Sequence, residues 1–499
     1  MVQYLFQPEK VLDCRSGISH IISNIEACTS VANSLSATFG PYGLDKLFYG
    51  KKLLLTNDGA TILENMNFKH PIAKLLCSLS KSQDNEVGDG TTSVVLLTSA
   101  ILNSLLSLVK EEFSTEIIRN VLKDMKRQCL ERLENLKIEF SEENLIRLAE
   151  TCLNSKNVRG DKSHFSRLLV DALSCDDDLY IDKVTGGSLS DSFLVPGIAF
   201  KKTFTYAGYE QQPKKILNPK ICCLNIELEW KSERENAEIK IESVEEYQRV
   251  VDAEWKIITE KLDDIINSGA NVVLSTMSIG DYATQYFARA GIFSAGRVHE
   301  LPKIVKAFKG KISNSTKYIK LGTCELFEER QLGETRYNYF EGKNARSRTL
   351  ILRGPGSEIL EEVERAVHDA VCVIKTAIKH QNIVCGGGSV EMQLSKLCRD
   401  LSFKIGAEKM FVYRALSMAF EKIPSQLAAN FGLDPVSVLQ NLRQSHSTSN
   451  FTGVSLKGTE DMTKLGVLEP LEVKKNMVKA AFDAADTILS IDSTIINKK

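Results

Sequence analysis

Apolar residues recur every three or four positions through most of the first two hundred residues. Between 115 and 136 this spacing predicts a helix with one apolar stripe, formed by Ile118, Val121, Leu122, Met125, Cys129, Leu133 and Leu136. Residues 94–109 are apolar around almost the whole helical circumference. A helix of that kind lies buried in the middle of a sizeable domain. The pattern therefore predicts a mainly helical first part of the chain.

The middle of the chain has a different pattern. Residues 220–230 alternate apolar and polar side chains, which predicts a half-buried strand. Ser243 with Glu246 three positions later has the signature of a capping box, so a helix is expected to start there and to stop at Gly269. The apolar run 271–275 then predicts a buried strand. This order of elements indicates a compact α/β domain over about 210–350.

Helical periodicity returns from Ser357. Glutamates occupy the first turns of segment 357–380 and basic residues its last turn, an order that favours the helix dipole. Helices are expected from there to the end of the chain. The simplest arrangement is that both helical parts build one domain and that the α/β segment is inserted between them.

Composition narrows the class of protein. The chain has 499 residues, of which 43% are hydrophobic and 25% charged, as in ordinary globular proteins. A net charge of −1 gives no bulk attraction for nucleic acid or for a membrane, and neither partner is expected. Twelve scattered cysteines without a C-x-x-C pair fit a reducing compartment. No apolar stretch approaches the ~20 residues of a membrane helix and no signal peptide is apparent, so we expect a cytosolic protein.

Glycine-rich stretches mark several possible sites. Residues 40–43 (GPYG) and 56–59 (TNDG) are, taken alone, more typical of turns than of binding sites. Three consecutive glycines at 386–388 let the backbone pack closely against a ligand or against another element. The common nucleotide fingerprints, G-x-x-x-x-G-K-[ST] and G-x-G-x-x-G after a strand, are absent.

The stretch 86–93, EVGDGTTS, precedes the apolar helix directly. Backbone amides at a helix N-terminus favour anions, and the neighbouring hydroxyls could bind phosphate oxygens. Asp89 could hold Mg²⁺ through oxygen. By itself the stretch is as consistent with a helix cap as with a phosphate site.

Five motifs in this order and spacing resemble those of the group II chaperonins. They are GPYGLDK (40–46), TNDGATIL (56–63), EVGDGTTS (86–93), VCGGGSVEMQLS (384–395) and GVLEPLEVKK (466–475). Each motif alone is weak, but the five together are very specific, and the resemblance covers essentially the whole chain. Local stretches such as FKKTFTYAGYEQQPKK (200–215) and IGDYATQYF (279–287) resemble one subunit type of the eukaryotic cytosolic chaperonin CCT/TRiC.

The resemblance implies an α+β multidomain chaperonin fold with three nested domains. The implied limits are a helical equatorial domain at 1–138 and 384–499, a small intermediate domain at 139–209 and 351–383, and an α/β apical domain at 210–350. Within the apical domain, a helical protrusion that acts as a lid is expected at about 281–315.

The resemblance also implies a site for ATP or ADP with Mg²⁺. It assigns the metal to Asp89. It assigns nucleotide binding to Gly40, Pro41, Asp58, Gly90, Thr91, Thr92, Ser93, Asn154, Ser155, Gly387, Glu469 and Lys474. Among these, Gly387 is expected against the nucleoside and Glu469 at the ribose.

Asp369 is the catalytic candidate that the resemblance supplies. Its implied role is to orient or deprotonate the attacking water, since positioning and charge neutralisation are most of the catalysis in phosphoryl transfer. The residue pattern alone would not select it. Asp369 falls on the polar side of its helix, roughly opposite Val363, Val367 and Ile374, where an ordinary solvated carboxylate is expected.

One segment departs from the family pattern. Relatives usually carry a second aspartate shortly before the TNDGAT turn, whereas the connection 47–56, LFYGKKLLLT, is shorter here and contains no acid. Asp45 belongs to its own motif and is not expected to replace it. The sequence therefore predicts a subunit that binds ATP but hydrolyses it slowly.

The implied function is that of an ATPase subunit in a cytoplasmic ring that encloses and folds unfolded proteins of the actin and tubulin class. ATP binding and hydrolysis would drive lid closure, and seven paralogous subunits would complete a hetero-oligomeric double ring. Two alternatives stay open. One is a structural ring member that binds nucleotide without turning it over. The other is a monomeric phosphotransferase, for which the sequence offers no catalytic His or Cys arrangement.

Overall fold

A computed structural model of the chain describes residues 17–49, 53–156, 158–173, 178–202, 209–229, 244–343 and 345–494. These residues form two compact units. The first combines the residues up to 171 with those from 361 onward, and the second consists of 172–360. In sequence, the second unit is thus inserted into the first. The finer division into three nested domains stays a prediction.

The elements before the insertion are mainly helical. In chain order they are α1 (Ile18–Ser36), β1 (Lys46–Tyr49), β2 (Leu53–Thr56), α2 (Gly59–Asn65), α3 (Pro71–Val87), α4 (Thr91–Lys110), α5 (Thr115–Glu134), α6 (Glu142–Leu153) and α7 (Lys162–Leu173).

The inserted segment is rich in short strands. Its elements are β3 (Asp178–Thr185), β4 (Phe193–Val195), β5 (Gly197–Lys201), β6 (Lys215–Leu217), β7 (Lys220–Leu224), α8 (Val244–Asn267), β8 (Val272–Ser275), α9 (Asp281–Arg289), β9 (Phe293–Ala295), α10 (Leu301–Phe308), β10 (Ile312–Ser313), β11 (Gly322–Thr323), β12 (Leu326–Leu332), β13 (Thr335–Glu341) and β14 (Ser347–Gly354).

Helices again dominate after the insertion. The elements are α11 (Ser357–His380), β15 (Ile383–Cys385), α12 (Ser389–Lys404), α13 (Ala407–Asn430), α14 (Pro435–Ser445), β16 (Thr452–Ser455), β17 (Gly458–Asp461), α15 (Met462–Leu465), β18 (Leu468–Pro470) and α16 (Leu471–Leu489). The expectation of helices alone in this part is wrong, because β15 pairs antiparallel with β18 and β16 pairs with β17. Strands of three or four residues are too short to leave a periodic pattern in the sequence.

Helix α4 is the central element of the first unit. It packs against α1, α3, α13 and α16, so that elements from both ends of the chain share one core. The helix has 20 residues, a window of 18 of them has a mean hydropathy of 1.9, and by length and composition it could cross a membrane. The expectation that no apolar stretch approaches that length is therefore wrong. In the structure most of its apolar side chains are buried in the core, and Val94, Leu97 and Ile101 are fully buried.

The periodic helices have the predicted limits and buried faces. Helix α5 buries Ile118, Val121, Leu122, Met125, Cys129 and Leu133, as its stripe predicts. Helix α11 covers the predicted segment 357–380. Helix α8 ends shortly before Gly269, which has a left-handed φ of 77°. The proposed capping box of Ser243 and Glu246 lies outside the residues and side chains that the structure describes.

The second unit is built on a parallel sheet with two cores. Strands β10, β7, β8 and β9 run parallel in that order, and β11 pairs antiparallel with β7. Strand β7 sends Ile221 and Cys223 into one core and Cys222 and Leu224 into the other. The prediction of a half-buried strand over 220–230 is wrong, because β7 has neighbours on both edges and cores on both faces.

The segment predicted as a projecting lid, about 281–315, belongs to this folded core. It forms α9, β9, α10 and β10, and β9 and β10 are strands of the parallel sheet. Phe287, Phe293, Leu301 and Ile304 are fully or almost fully buried. A projecting hairpin could not bury side chains of this size, so the expected position of the lid is wrong.

Candidate nucleotide site

The first unit contains a cavity of about 690 Å³, a volume typical of a small-molecule site. It is bordered by the loop 38–42, by the starts of α2 and α4, by the loop after α6, and by β18 with the first turns of α16. Every residue predicted to bind nucleotide or Mg²⁺ lines it, although their roles stay predictions. They are Gly40, Pro41, Asp58, Asp89, Gly90, Thr91, Thr92, Ser93, Asn154, Ser155, Gly387, Glu469 and Lys474.

The glycines of the 88–93 loop allow the chain to turn from α3 into α4. Gly88 ends α3 with a φ of 71° and Gly90 precedes α4 with a φ of 78°, both in the left-handed region. Gly90 stands at the N-cap position and has no side chain to bond the first amides of α4. Those amides, at the positive end of a helix dipole, are therefore available to an anion from the cavity.

Asp58 connects the starts of two helices. It caps α2 by accepting hydrogen bonds from the amide and the hydroxyl of Thr61, at 2.9 and 2.7 Å. Its other carboxylate oxygen accepts from the Thr91 hydroxyl at 3.0 Å. Burial alone would raise the pKa of Asp58, but Lys156 and these hydrogen bonds outweigh it and lower the pKa. Asp58 is therefore an ionised carboxylate that accepts three hydrogen bonds and lies beside the 88–93 loop.

Asp369 lies on α11 in an ion pair with Lys156. Its Oδ2 is 2.8 Å from Lys156 Nζ, and the side chains of Asp369 and Lys156 are only 13% and 9% exposed. Burial raises the pKa of Asp369 to about 7; Lys156 counteracts this shift, and the charges of Asp58 and Asp89 add to it. The expectation of an ordinary solvated carboxylate is therefore wrong. Asp369 does not itself line the cavity, whereas Lys156 does.

Lys156 is a site residue that the sequence reasoning missed. Burial alone would lower its pKa, but the charges of Asp369 and Asp58 outweigh burial and raise it. Its ammonium thus connects the acid at the start of α2 with the acid on α11. The signal in the sequence was its position directly after Asn154 and Ser155, which the family pattern already selected.

Arg159 joins the loop after α6 to the loop 38–42. Arg159 donates a hydrogen bond to the Pro41 carbonyl at 3.1 Å, and its guanidinium lies 4.1 Å from the centre of the Tyr42 ring. Asn154 accepts a hydrogen bond from Lys162 Nζ at 3.1 Å. Arg159 and Tyr42, which also line the cavity, were not among the predicted residues.

At another part of the cavity wall, two carboxylates share one ammonium. Lys474 Nζ lies 2.8 Å from Glu469 Oε2 and 2.8 Å from Glu391 Oε1. Glu469 belongs to β18, opposite Val384 of β15, and burial raises its pKa while Lys474 partly counteracts the shift. Glu391, on the first turn of α12, was not predicted.

Two predicted glycines lie where a side chain would not fit. Gly40 has a φ of 84°, and a Cβ there would lie 2.6 Å from Leu427 Cδ2. Gly387 has a φ of 63°, and its Cβ would lie 2.7 Å from Met462 Sδ. Glycine at both positions keeps the wall of the cavity in its observed form.

The donor set fits a magnesium nucleotide. No group of three or more His, Cys, Asp or Glu side chains among the described residues could hold a metal ion alone. Mg²⁺ does not need one, because it is commonly held by one or two carboxylates together with substrate phosphates and water. Asp89, whose Oδ1 accepts a hydrogen bond from the Gly90 amide at 2.6 Å, supplies such a carboxylate beside the free helix start.

The segment that departs from the family pattern forms the hairpin of β1 and β2, with Lys46 opposite Thr56. Asp45 is exposed and does not line the cavity. The described residues of the hairpin, 46–49 and 53–56, contain no acid. Asp45 therefore does not take the place of the absent second aspartate.

Comparison with known proteins agrees with the motifs. Residues 31–499 match the TCP-1/cpn60 chaperonin family. The T-complex protein 1 subunit eta of Encephalitozoon cuniculi is 56% identical over 100% of both chains. The human and the Saccharomyces cerevisiae proteins of the same name are each 42% identical, covering 98% and 97% of this chain and 94% and 93% of their own. The chain belongs to the TCP-1/cpn60 chaperonin family, and within it resembles the eta subunits of T-complex protein 1.

Proposed function

We propose that this chain binds ATP with Mg²⁺ in the cavity of its first unit and hydrolyses it as a subunit of a chaperonin ring. The observation that carries the proposal is that the start of α4 and the carboxylate of Asp89 line one cavity together with Lys156, the ion-pair partner of Asp369. The helix start attracts phosphate, Asp89 would hold the Mg²⁺ that accompanies it, and Asp369 of the pair supplies a base.

The protein's own groups have distinct tasks in this proposal. The first amides of α4, with the hydroxyls of Thr92 and Ser93, bind phosphate oxygens. Asp89 holds Mg²⁺, which when bound neutralises phosphate charge. Asp369 accepts a proton from the attacking water, and a pKa of about 7 suits a general base at neutral pH. Lys156 keeps that pKa from rising further.

The family membership supports an assembly of related subunits. We propose a hetero-oligomeric double ring in the cytoplasm, completed by seven paralogous subunits, that encloses unfolded proteins of the actin and tubulin class. ATP must then bind the closed arrangement more tightly than the open one, since only a difference in affinity can shift that equilibrium.

The lid needs a position other than 281–315. The first half of α8 offers one, because Val244, Tyr247 and Trp255 are 85%, 58% and 36% exposed. Farther along the same helix, Leu262 and Ile265 are buried in the core of the second unit. We therefore propose that α8 is anchored by its second half and that its first half contributes to the lid.

Slow hydrolysis remains the preferred form of the proposal, because no described residue of the hairpin replaces the absent acid. A second candidate is a ring subunit that binds nucleotide without turnover, and the same hairpin favours it. A monomeric phosphotransferase has no such support.

Single-turnover hydrolysis of ATP by the purified full-length chain tests the proposal. We expect ATP to bind and to be cleaved slowly, and Asp369→Ala to abolish cleavage while binding is kept. Binding without cleavage by the wild-type chain would establish the second candidate, and a rate equal to that of other ring subunits would refute slow hydrolysis. Sizing of the native particle excludes the phosphotransferase if the chain elutes in a large assembly.

A further inference from the structure

The cluster of Glu391, Lys474 and Glu469 contains a carboxylate whose surroundings need an explanation. Glu391 is completely buried, and only one of its oxygens, Oε1, has a hydrogen-bond partner, Lys474 Nζ at 2.8 Å. Its Oε2 is buried without any partner among the described residues. Native proteins rarely leave a buried polar atom in this state, because its desolvation is not compensated.

One ammonium group, Nζ of Lys474, connects Glu391 with Glu469 at the cavity wall. Glu391 is enclosed on all sides and cannot follow Lys474, so it fixes the position of Nζ. Lys474, 6% exposed, in turn holds Oε2 of Glu469 at 2.8 Å. Two carboxylates then share one positive charge, and the surplus negative charge leaves Glu469 able to accept a strong further hydrogen bond.

The remaining oxygen of Glu469 is able to accept a hydrogen bond from a donor in the cavity. Glu469 lines the cavity with its side chain 23% exposed. Its Oε1 passes over Gly386, where a Cβ would lie only 2.6 Å away. An ionised carboxylate only accepts hydrogen bonds and repels phosphate. In a nucleotide, the donors away from the phosphates are the ribose hydroxyls and the amino group of the base.

We propose that Glu391 is a positioning residue for sugar recognition, which holds Lys474 so that Glu469 accepts a hydrogen bond from a ribose hydroxyl. This inference rests on the proposed function, since it needs ATP in the cavity. The simpler structural role, in which Glu391 only balances the charge of Lys474, predicts a loss of stability but no change in sugar preference.

Equilibrium binding of ATP, 2′-deoxy-ATP, 3′-deoxy-ATP and ITP to the full-length chain tests the inference. ITP lacks the amino group of the base and separates recognition of the base from that of the sugar. The variants are Glu391→Met, which removes the charge in a similar volume, Glu391→Gln, which keeps an acceptor, and Glu469→Gln as reference. Glu421→Gln is the matched control, because Glu421 is a buried carboxylate of the same unit that does not line the cavity.

The wild-type chain should prefer ATP over at least one deoxy analogue by about tenfold or more, as expected for a hydrogen bond to a charged acceptor. Glu391→Met should reduce this preference to about that of Glu469→Gln, Glu391→Gln should restore part of it, and Glu421→Gln should keep it. If Glu391→Met does not fold, the intermediate preference of Glu391→Gln carries the test.

Three outcomes overturn the inference. A Glu391→Gln or Glu391→Met chain with the full wild-type sugar preference refutes the positioning role alone. Discrimination against ITP but against neither deoxy analogue assigns Glu469 to the base instead. A wild-type chain that binds no ATP refutes the proposed function and the inference with it.

Discussion

The ionisation of Asp369 should set the pH dependence of hydrolysis. The relevant quantity is kcat/KM, because its pH profile reports the pKa values of the free protein. With a pKa of about 7, Asp369 is ionised to roughly one tenth at pH 6, one half at pH 7 and nine tenths at pH 8. We therefore expect kcat/KM to rise with pH along a single curve with its midpoint near 7.

Two substitutions should move that midpoint in opposite directions. Lys156 lowers the pKa of Asp369, so Lys156→Met should shift the midpoint to higher pH. Asp58 raises the pKa, so Asp58→Asn should shift it to lower pH. Loss of a neighbouring opposite charge raises the pKa of a carboxyl group by about 1–3. Without that ammonium, the ionised fraction of Asp369 at pH 7, and with it the activity, should therefore fall by about fivefold or more.

The assay is single-turnover hydrolysis by the full-length chain at subsaturating ATP between pH 5.5 and 8.5. Glu421→Gln serves as the control and should leave the midpoint unchanged, since its carboxylate is outside the cavity. A wild-type midpoint near 4, or an unchanged midpoint in Lys156→Met, would contradict the role of the Lys156–Asp369 pair.

The same pKa has a consequence for stability. The folded chain holds the proton of Asp369 up to about pH 7, whereas the unfolded chain loses it near the ordinary aspartate pKa of 3.8. The contribution of Asp369 to the free energy of unfolding is therefore fully present below pH 3.8, falls as the pH rises to 7, and then levels off. Asp369→Asn should remove this slope in urea titrations, and a slope equal to that of the wild type would contradict the assignment.

Three further substitutions test the packing of the first unit, each by urea unfolding. Gly88→Ala should cost about 1–3 kcal/mol more than Gly432→Ala, because both have a left-handed φ but only at Gly88 would the Cβ meet Cys372, at 2.3 Å; equal costs would contradict this. Glu421→Gln should cost about 1–3 kcal/mol of stability, because Glu421 pairs with both Arg399 and Arg443. A neutral effect would show that solvent satisfies the two guanidinium groups. His446 is buried with a lowered pKa, so the free energy of unfolding should fall as the pH drops below about 6.5, and it should fall less steeply in His446→Gln. The same pH dependence in wild type and variant would contradict this role of His446.

Sequence periodicity predicted the long helices well and the short elements poorly. Helices α5 and α11 follow their apolar stripes because one face of each packs on a core. The buried state of β7 was not predicted, because the alternation that indicated a half-buried strand starts at Leu224, whereas β7 itself carries the continuous apolar run from Ile221 to Leu224. The predicted position of the lid was wrong for a related reason. Segment 281–315 was assigned by position in a family pattern, although its own large apolar residues required a core.

The candidate site could be predicted as far as its motifs extend. The motif residues converge because each lies in a loop, in the first turn of a helix or in the short strand β18, and the family order predicted which of these segments meet. Partners outside the motifs were missed, because pairs such as Lys156 with Asp369 and Glu391 with Lys474 join residues far apart in the sequence. A helical pattern classifies Asp369 as polar and cannot tell whether solvent or a buried lysine faces it.

The two buried lysines explain how the cavity can carry several carboxylates and still admit an anion. Lys156 faces Asp369 and Asp58, and Lys474 faces Glu391 and Glu469, so that each ammonium offsets part of the charge of two acids. Without them, the four carboxylates would repel phosphate, and burial would raise the pKa values of Asp369 and Glu469 further. In the proposed function, the start of α4 can therefore bind an anion only because lysines hold the charge of the surrounding acids. Loss of either lysine should weaken ATP binding more strongly at high pH, where the acids are ionised, than at low pH.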